Sequence, residues 1–116
     1  MQVVVPWPPS LLSGHANGNR RWAKIGATKK HREWARLATL AAGDIDIPIT
    51  GDIRLHIRFE PPNRRGDRTN YPNRMKPALD GIATALGVND SRFLPSYEFG
   101  DVCAGGRVVV TIGCGE

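Results

Sequence analysis

Four residues between positions 67 and 90 have the types and spacing that metal-assisted phosphodiester chemistry requires. Lys76 and Asp80 are four residues apart in a segment with helical periodicity, so their side chains project from the same flank of that helix. Asp67 lies in the loop before this segment, and Asp90 lies just after it. Three carboxylates brought together repel one another unless a cation lies between them, and Mg²⁺ prefers hard oxygen ligands. A cation between the three aspartates would remove that repulsion, and Lys76 could neutralise charge that develops on a phosphate.

Each of these residues also has a simpler interpretation. Lys76 and Asp80 have the spacing of an ordinary surface ion pair. Asp67, Asp90 and Asn70 fall in segments where such side chains commonly cap turns. The histidines have no metal-ligand spacing: His56 is expected on the exposed side of a strand and His31 in the first turn of a helix. The three tryptophans are expected to be core residues more than base-stacking platforms.

The basic residues are concentrated in one part of the chain. The net charge is +5, and 14 of the 16 Lys and Arg residues lie between Arg20 and Lys76. This segregation predicts a positive face that can bind a polyanion, although a solvated, solubilising surface is the alternative. Charge alone does not choose between DNA, RNA and another acidic partner. The candidate DNA-binding residues are Arg20, Arg21, Lys24, Lys29, Lys30, Arg64, Arg65, Arg68 and Arg74.

Apolar periodicity predicts the strands that position these groups. A short strand spans Gln2–Val5, and the prolines of PWPPS end it because proline cannot donate to a ladder. Residues 52–59 alternate between apolar and polar, which indicates a half-buried strand. Residues 107–112 form a last strand, and residues 97–99 form a weaker candidate.

Two helices complete the pattern. After a polar loop at residues 13–25, the first helix is predicted from an N-cap at Thr28 to about Ala42, with Gly43 as its stop. Its expected apolar stripe is Trp34, Leu37, Ala38 and Ala41. The second helix is predicted over residues 74–86, and its expected buried stripe is Met75, Leu79, Ile82, Ala83 and Leu86. The order predicts one α+β (mixed α/β) domain over residues 1–116, with one sheet packed against two helices.

Length and composition narrow the function classes. No apolar run in the 116 residues approaches the roughly 20 residues of a membrane span, so no membrane partner is expected. The opening MQVVVPWPP lacks the basic region of an export signal. With only Cys103 and Cys114, we expect a reduced, cytoplasmic protein, a compartment that does not favour a disulfide between them.

The central motif resembles the RusA family of Holliday junction resolvases, and the similarity covers nearly the whole chain. The opening VPWPPS is similar to the start of that family. The segment NRRGDRTN resembles its Arg-rich loop, with Asp67 at the first acid and Asn70 at the family asparagine. The helix MKPALDGIATALGV places Lys76 at the family lysine, and NDS follows it. Thr69 stands where the family has a second loop aspartate, and Asn89 stands where it has the first of two paired acids.

The resemblance implies a homodimeric, Mg²⁺-dependent endonuclease that cuts four-way DNA junctions, with Mn²⁺ as a substitute metal. It implies Asp67 and Asp90 as metal ligands, Asp80 as a ligand or a supporting residue, and Asn70 in a supporting role. The loop arginines would clamp the DNA backbone. Two alternatives remain at this point: a junction-binding protein that has lost its catalysis, favoured by Thr69 and Asn89, and a basic RNA- or protein-binding domain.

Overall fold

The computed structural model describes residues 2–9, 19–43, 46–64 and 68–113, with the backbone alone at Asn19 and Arg20. Four strands and two helices are present in these residues: β1 (Gln2–Pro6), α1 (Asn19–Ala41), β2 (Ile53–Glu60), α2 (Lys76–Leu86), β3 (Phe93–Phe99) and β4 (Arg107–Gly113). The same residues contain three short 3₁₀ turns, Arg68–Asn70, Pro72–Arg74 and Asp90–Arg92. The predicted α+β class, with one sheet and two helices, is confirmed.

The four strands form one mixed sheet in the order β1-β4-β2-β3. Strand β4 is antiparallel to β1 and β2, whereas β3 is parallel to β2. The alternation predicted for β2 is confirmed, because Ile53, Leu55, Ile57 and Phe59 are all buried. They share the core with Val108, Val110 and Ile112 of β4 and with Met75 and Ile82 of the second helical segment. The sheet is therefore packed on one face, and the polar residues of β2 lie on the other.

Parallel pairing of β2 and β3 requires a crossover connection, and α2 lies in that connection. The helix is thereby fixed beside the sheet with its two ends in the connecting turns. Strand β3 is an edge strand and is longer than the candidate at residues 97–99. Pro95 is tolerated in it because an edge strand has one side without ladder hydrogen bonds.

Polar contacts on the outer face of the sheet join β2 to this edge strand. The His56 ring approaches Ser96 Oγ at 3.0 Å through Nδ1 and Glu98 Oε1 at 2.7 Å through Nε2. His56 is 45% exposed, which confirms its predicted place on the solvent side of the strand. These contacts reinforce the parallel pairing at the edge of the sheet.

Helix α1 differs from its prediction at both its start and its buried face. It is helical from Asn19, so the latter part of the predicted loop is helix and Thr28 is an interior residue. His31, Ala35 and Thr39 are the buried residues of α1, so His31 is not in a first turn. The predicted stripe is wrong: Trp34 and Leu37 are 44% and 49% exposed, Ala41 is exposed and only Ala38 is half-buried.

The physical reason is the close approach of α1 to α2. A Cβ atom added to Gly81 would lie 2.1 Å from the backbone oxygen of Arg32. Only small side chains fit between helices at that separation. Ala35 and Ala38 therefore face the core, whereas the large side chains of Trp34 and Leu37 project outward.

Two further expectations concern compartment and redox state. Neither helix in the described ranges combines the length and the apolar character that crossing a membrane demands. Cys103 forms no disulfide within the described residues. Cys114 lies outside them, so the expectation about that pair stays a prediction.

Candidate active site beside the second helix

The start of α2 is fixed by buried neighbours, and this determines where Lys76 projects. Met75 is completely buried and precedes the first helical residue, and its backbone carbonyl accepts a hydrogen bond from Leu79 N at 2.9 Å. Pro77 occupies the first turn, where its missing N–H is not needed. The helix begins at Lys76, not at the predicted Arg74, which lies in the preceding 3₁₀ turn. Asp80 follows one turn later on the same flank.

The end of α2 reverses the chain. Gly87 adopts a left-handed conformation with φ 71°, which a glycine reaches without steric cost. Its N–H donates to Thr84 O at 3.2 Å, and Val88 N donates to Ala83 O at 3.0 Å. This C-terminal cap satisfies the last helical carbonyls and directs the following residues back across the helix.

Three hydrogen bonds then hold the turn that contains Asp90. The side-chain oxygen of Asn89 accepts a hydrogen bond at 2.9 Å from the amide two residues further on, which caps the 3₁₀ turn that contains Asp90. Arg92 donates from Nε to Gly51 O at 2.8 Å and from Nη2 to Pro48 O at 2.7 Å. The turn is thus tied to the segment before β2. The sequence motif did not predict this anchoring role of Arg92, because its acceptors are backbone carbonyls about 40 residues away.

Lys76, Asp80 and Asp90 meet as the sequence predicted. Lys76 Nζ lies 3.1 Å from Asp80 Oδ1 and forms an ion pair with Asp90 Oδ2. The hydrogen bond that Lys76 donates is the main reason why the pKa of Asp90 lies below its usual value. A hydrogen bond between Asp90 and Asp80 lowers this pKa further. Hydrogen bonds to Asp90 and Asp80 raise the pKa of Lys76. Asp90 is therefore ionised and Lys76 is charged at neutral pH.

The three side chains are open to solvent. Those of Lys76, Asp80 and Asp90 are 67%, 37% and 31% exposed. Exposed ion pairs contribute little to stability, because water solvates the separated charges well. The cluster therefore contributes little to the stability of the fold, and a large ligand can reach it from solvent.

A cleft adjoins the two carboxylates and brings α1 into the site. It has a volume of about 400 Å³ and is lined by Arg32, Asp80, Ala83, Thr84, Val88, Asn89 and Asp90. Arg32 reaches it because α1 packs against α2 at Gly81. The sequence placed Arg32 on the polar side of its helix but carried no signal that this side faces Asp80 and Asp90.

Arg32 belongs to a basic stripe along α1. Arg21, Lys29, Arg32 and Arg36 are spaced by 8, 3 and 4 residues, which places them on one side of the helix. The first three are exposed, and Arg36 is half-buried with a bond from Nε to Glu33 Oε2 at 3.0 Å. Of the four, Arg32 lines the cleft, so the stripe meets the cleft at this residue.

The other predicted DNA-binding residues lie elsewhere. Lys24 is half-buried, and Lys30 lies over the ring of Trp34 with Nζ 5.7 Å from its centroid. Arg74 packs against Tyr71 with its guanidinium carbon 5.5 Å from the ring centroid. Arg64 and Arg68 line a different cavity, beside the ends of β2 and β3. The side chain of Arg20 and the whole of Arg65 are outside the described residues.

The described residues supply two of the three predicted metal ligands. Asp67 is outside the described residues, and within them no group of three His, Cys, Asp or Glu residues could hold a metal ion. Asn70 is exposed in the 3₁₀ turn at Arg68–Asn70. Mg²⁺ commonly binds through one or two carboxylates together with waters and substrate phosphates. Asp80 and Asp90 fit that mode of binding.

Comparison with known proteins identifies a relative, but the name of that relative does not indicate an activity. No protein-family model matches the chain. An uncharacterized protein of Xylella fastidiosa is 38% identical over 116 residues, an alignment that covers 95% of this chain and 74% of that protein. The chain belongs to the same family as this Xylella protein.

Proposed function

We propose that this relative of the Xylella protein is a Mg²⁺-dependent endonuclease that cuts four-way DNA junctions in the cytoplasm. The observation that carries the proposal is the meeting of Lys76 with Asp80 and Asp90 at an open cleft. The resemblance of the same residues to the RusA motif supports it independently, because that resemblance rests on their order and spacing. The basic stripe of α1 supplies a surface for a polyanion.

The residues around the cleft have separable roles in the proposed reaction. Arg32 binds a phosphate at the rim, because it lines the cleft together with both carboxylates. The raised pKa of Lys76 keeps its ammonium protonated at neutral pH. A protonated Lys76 can stabilise negative charge that develops on the phosphate or help the leaving oxygen.

Asp80 and Asp90 would hold the metal, with Asp67 as the proposed third ligand. When bound, Mg²⁺ supplies a Lewis acid for the phosphate and lowers the pKa of a coordinated water. Asp80 and Asp90 both form ion pairs with the Lys76 ammonium. If these carboxylates held a cation instead, Lys76 would be able to pair with the phosphate.

A homodimer completes the proposal. Two opposed cuts in a four-way junction require two active sites related by a two-fold axis, which a symmetric dimer provides. Helix α1 exposes Trp34, Leu37 and Leu40, which are 44%, 49% and 52% exposed and follow one another at intervals of three residues. This apolar surface supports a second copy of the chain as the partner.

A junction-binding protein without catalysis is the second candidate. Thr69 replaces the acid that the RusA pattern has at this position, and Lys76 already forms ion pairs with both Asp80 and Asp90. Such a protein keeps the fold and the basic stripe and binds junctions without cutting them.

A labelled synthetic four-way junction, incubated with and without Mg²⁺ and run on native and denaturing gels, separates these functions. The nuclease gives paired symmetric nicks that require the metal. A shifted but uncut junction indicates the binding protein, and Thr69→Asp is then the variant expected to restore cutting. Equal affinity for junction and linear duplex of the same length would reject both.

A further inference from the structure

A second cavity lies apart from the carboxylate cleft and shares no lining residue with it. It has a volume of about 460 Å³, within the range of roughly 300–1,000 Å³ typical of small-molecule pockets. It lies where the chain leaves β2 and where β3 ends. The residues that matter for its chemistry are Asn63, Arg64, Arg68, Tyr71, Phe99 and Asp101.

An aromatic ring in the wall of this cavity is held rigidly yet remains open. Phe99 stacks on the buried Phe59 with centroids 5.8 Å apart and an interplanar angle of 18°. Tyr71 supports the same cluster, with its centroid 6.2 Å from that of Phe99 and 4.9 Å from that of Trp7. Phe99 is nevertheless 45% exposed. One side of a fixed ring is thus available for stacking by a flat ligand.

The polar groups of the cavity match the two ends of a nucleotide. Arg64 and Arg68 are exposed and supply guanidinium donors suited to a phosphate. Asp101 supplies a carboxylate, which accepts hydrogen bonds from the amino group of a base such as adenine. One cavity is therefore lined by guanidinium groups that can donate hydrogen bonds to a phosphate, by a ring for stacking and by a carboxylate that can accept hydrogen bonds from a base edge.

We propose that this cavity binds a single unstacked nucleobase that carries an amino group, stacked on Phe99, with its phosphate at Arg64 and Arg68. The inference rests on the proposed function, because it assumes that DNA is the polymer that the basic surface binds. It adds a recognition element for branch points, where bases lose their stacking partners. Extruding a base costs a few kcal/mol of stacking and pairing, and the cost is least where the base is unpaired or mismatched.

The test is the affinity, in EDTA, for a duplex that carries one extrahelical adenosine, compared with the same duplex carrying an extrahelical abasic residue. Wild-type protein is expected to bind the adenosine duplex more tightly by roughly 5- to 150-fold, the worth of one base–aromatic stack. Phe99→Leu removes that preference. An extrahelical thymidine, which has no amino group, is bound less tightly than adenosine.

Tyr97 provides a matched control. It lies on the same strand, stacks on Phe59 with centroids 6.0 Å apart at 22°, is 41% exposed and does not line the cavity. Tyr97→Leu is expected to keep the wild-type preference. Equal affinity of the wild-type protein for the two duplexes, or equal loss of preference in both variants, overturns the inference.

The outcomes also separate this inference from the proposed function. A protein that nicks junctions but does not distinguish adenosine from the abasic residue refutes the base site alone. A protein that makes the distinction but never cuts supports the base site and refutes the nuclease. A protein that binds none of these DNAs refutes both.

Discussion

At the residue scale, Arg32 links the basic stripe to the proposed chemistry. It lines the cleft with Asp80 and Asp90 and is exposed, so its guanidinium can meet a phosphate without a change in the core. A DNA backbone lying along α1 would reach the carboxylates at this residue. In the proposed function, Arg32 would contribute to junction affinity and would position the strand to be cut.

Arg32→Gln is expected to weaken junction binding and to reduce the slope of log K against log salt by about 1, because one phosphate contact is lost. Fluorescence anisotropy over a salt series measures both effects. Arg54→Gln is the control, since Arg54 is exposed on the sheet face opposite the helices. An equal change of slope in both variants would show that Arg32 contributes only general charge.

His31 gives the fold a dependence on pH. It is 1% exposed, and neither ring nitrogen has a hydrogen-bond partner among the described residues. Burial lowers the pKa of His31 below 6.5, so the unfolded chain binds its proton more readily than the folded chain does. The free energy of unfolding should therefore fall as the pH drops below about 6.5.

Urea unfolding at pH 7.5 and pH 5.0 measures this effect. The wild-type midpoint is expected to fall at the lower pH by more than that of His31→Leu, which has no group to protonate at this position. The same decrease in both proteins would assign the pH dependence to other groups.

At the element scale, the contact of α1 with α2 at Gly81 assembles the cleft. Gly81→Ala places a Cβ atom 2.1 Å from a backbone oxygen, so the helices have to separate. We expect a loss of about 1–3 kcal/mol or more in the free energy of unfolding, because overfilled contacts force the backbone to move. Cutting should also decrease, since Arg32 moves away from the carboxylates.

Gly26→Ala is the matched control for this helix pair. Gly26 lies within α1, and nothing lies within 4 Å of an added Cβ. Alanine there should stabilise the protein by about 0.5–1 kcal/mol, the usual difference in helix propensity. Denaturant titration of both variants measures the two effects, and a neutral Gly81→Ala would refute the tight contact.

The same contact explains which elements could be predicted from the sequence. The periodic apolar residues of β2 predicted that strand. Apolar periodicity also predicted Met75, Ile82 and Ala83 as buried residues of the second helix, whereas Leu79 and Leu86 are half-buried. The stripe of α1 was assigned to Trp34 and Leu37 because burial usually favours large apolar side chains. Its true buried face is formed by His31, Ala35 and Thr39. Packing against α2 determines this face, and the sequence of α1 alone does not reveal it.

The candidate site divides in a similar way. Lys76 and Asp80 could be paired from helical spacing, and the cap at Gly87 predicted the return of Asp90. Arg32 and Arg92 could not be found, because the contacts that define their roles join segments far apart in the sequence. The arrangement of the loop around Asp67 stays a prediction.

At the scale of the whole molecule, symmetry is the central requirement of the proposal. Leu37 is 49% exposed on the apolar surface of α1 that we assign to the dimer. Leu37→Asp is expected to convert a dimer into a monomer in sedimentation velocity, because it places a charge in an apolar contact. Ile49→Asp, at a residue that is 94% exposed in the segment before β2, should leave the dimer intact.

Oligomeric state and cutting pattern should change together. The monomeric Leu37→Asp protein is expected to make single nicks instead of paired ones. A wild-type protein that is a monomer at micromolar concentration, or a Leu37→Asp protein that remains a dimer, would contradict the assignment of this surface.

The most direct test of the central claim is the rate at which Asp90→Asn and Lys76→Gln cut a four-way junction at saturating Mg²⁺, measured with their junction affinities. We predict rates at least about 100-fold below wild type, as expected when a metal ligand or a charge-stabilising group is lost, with binding retained. Glu98→Gln, at an exposed carboxylate on the outer face of the sheet, should cut like the wild type. Wild-type rates for Asp90→Asn or Lys76→Gln would contradict the assignment of this cleft as the active site.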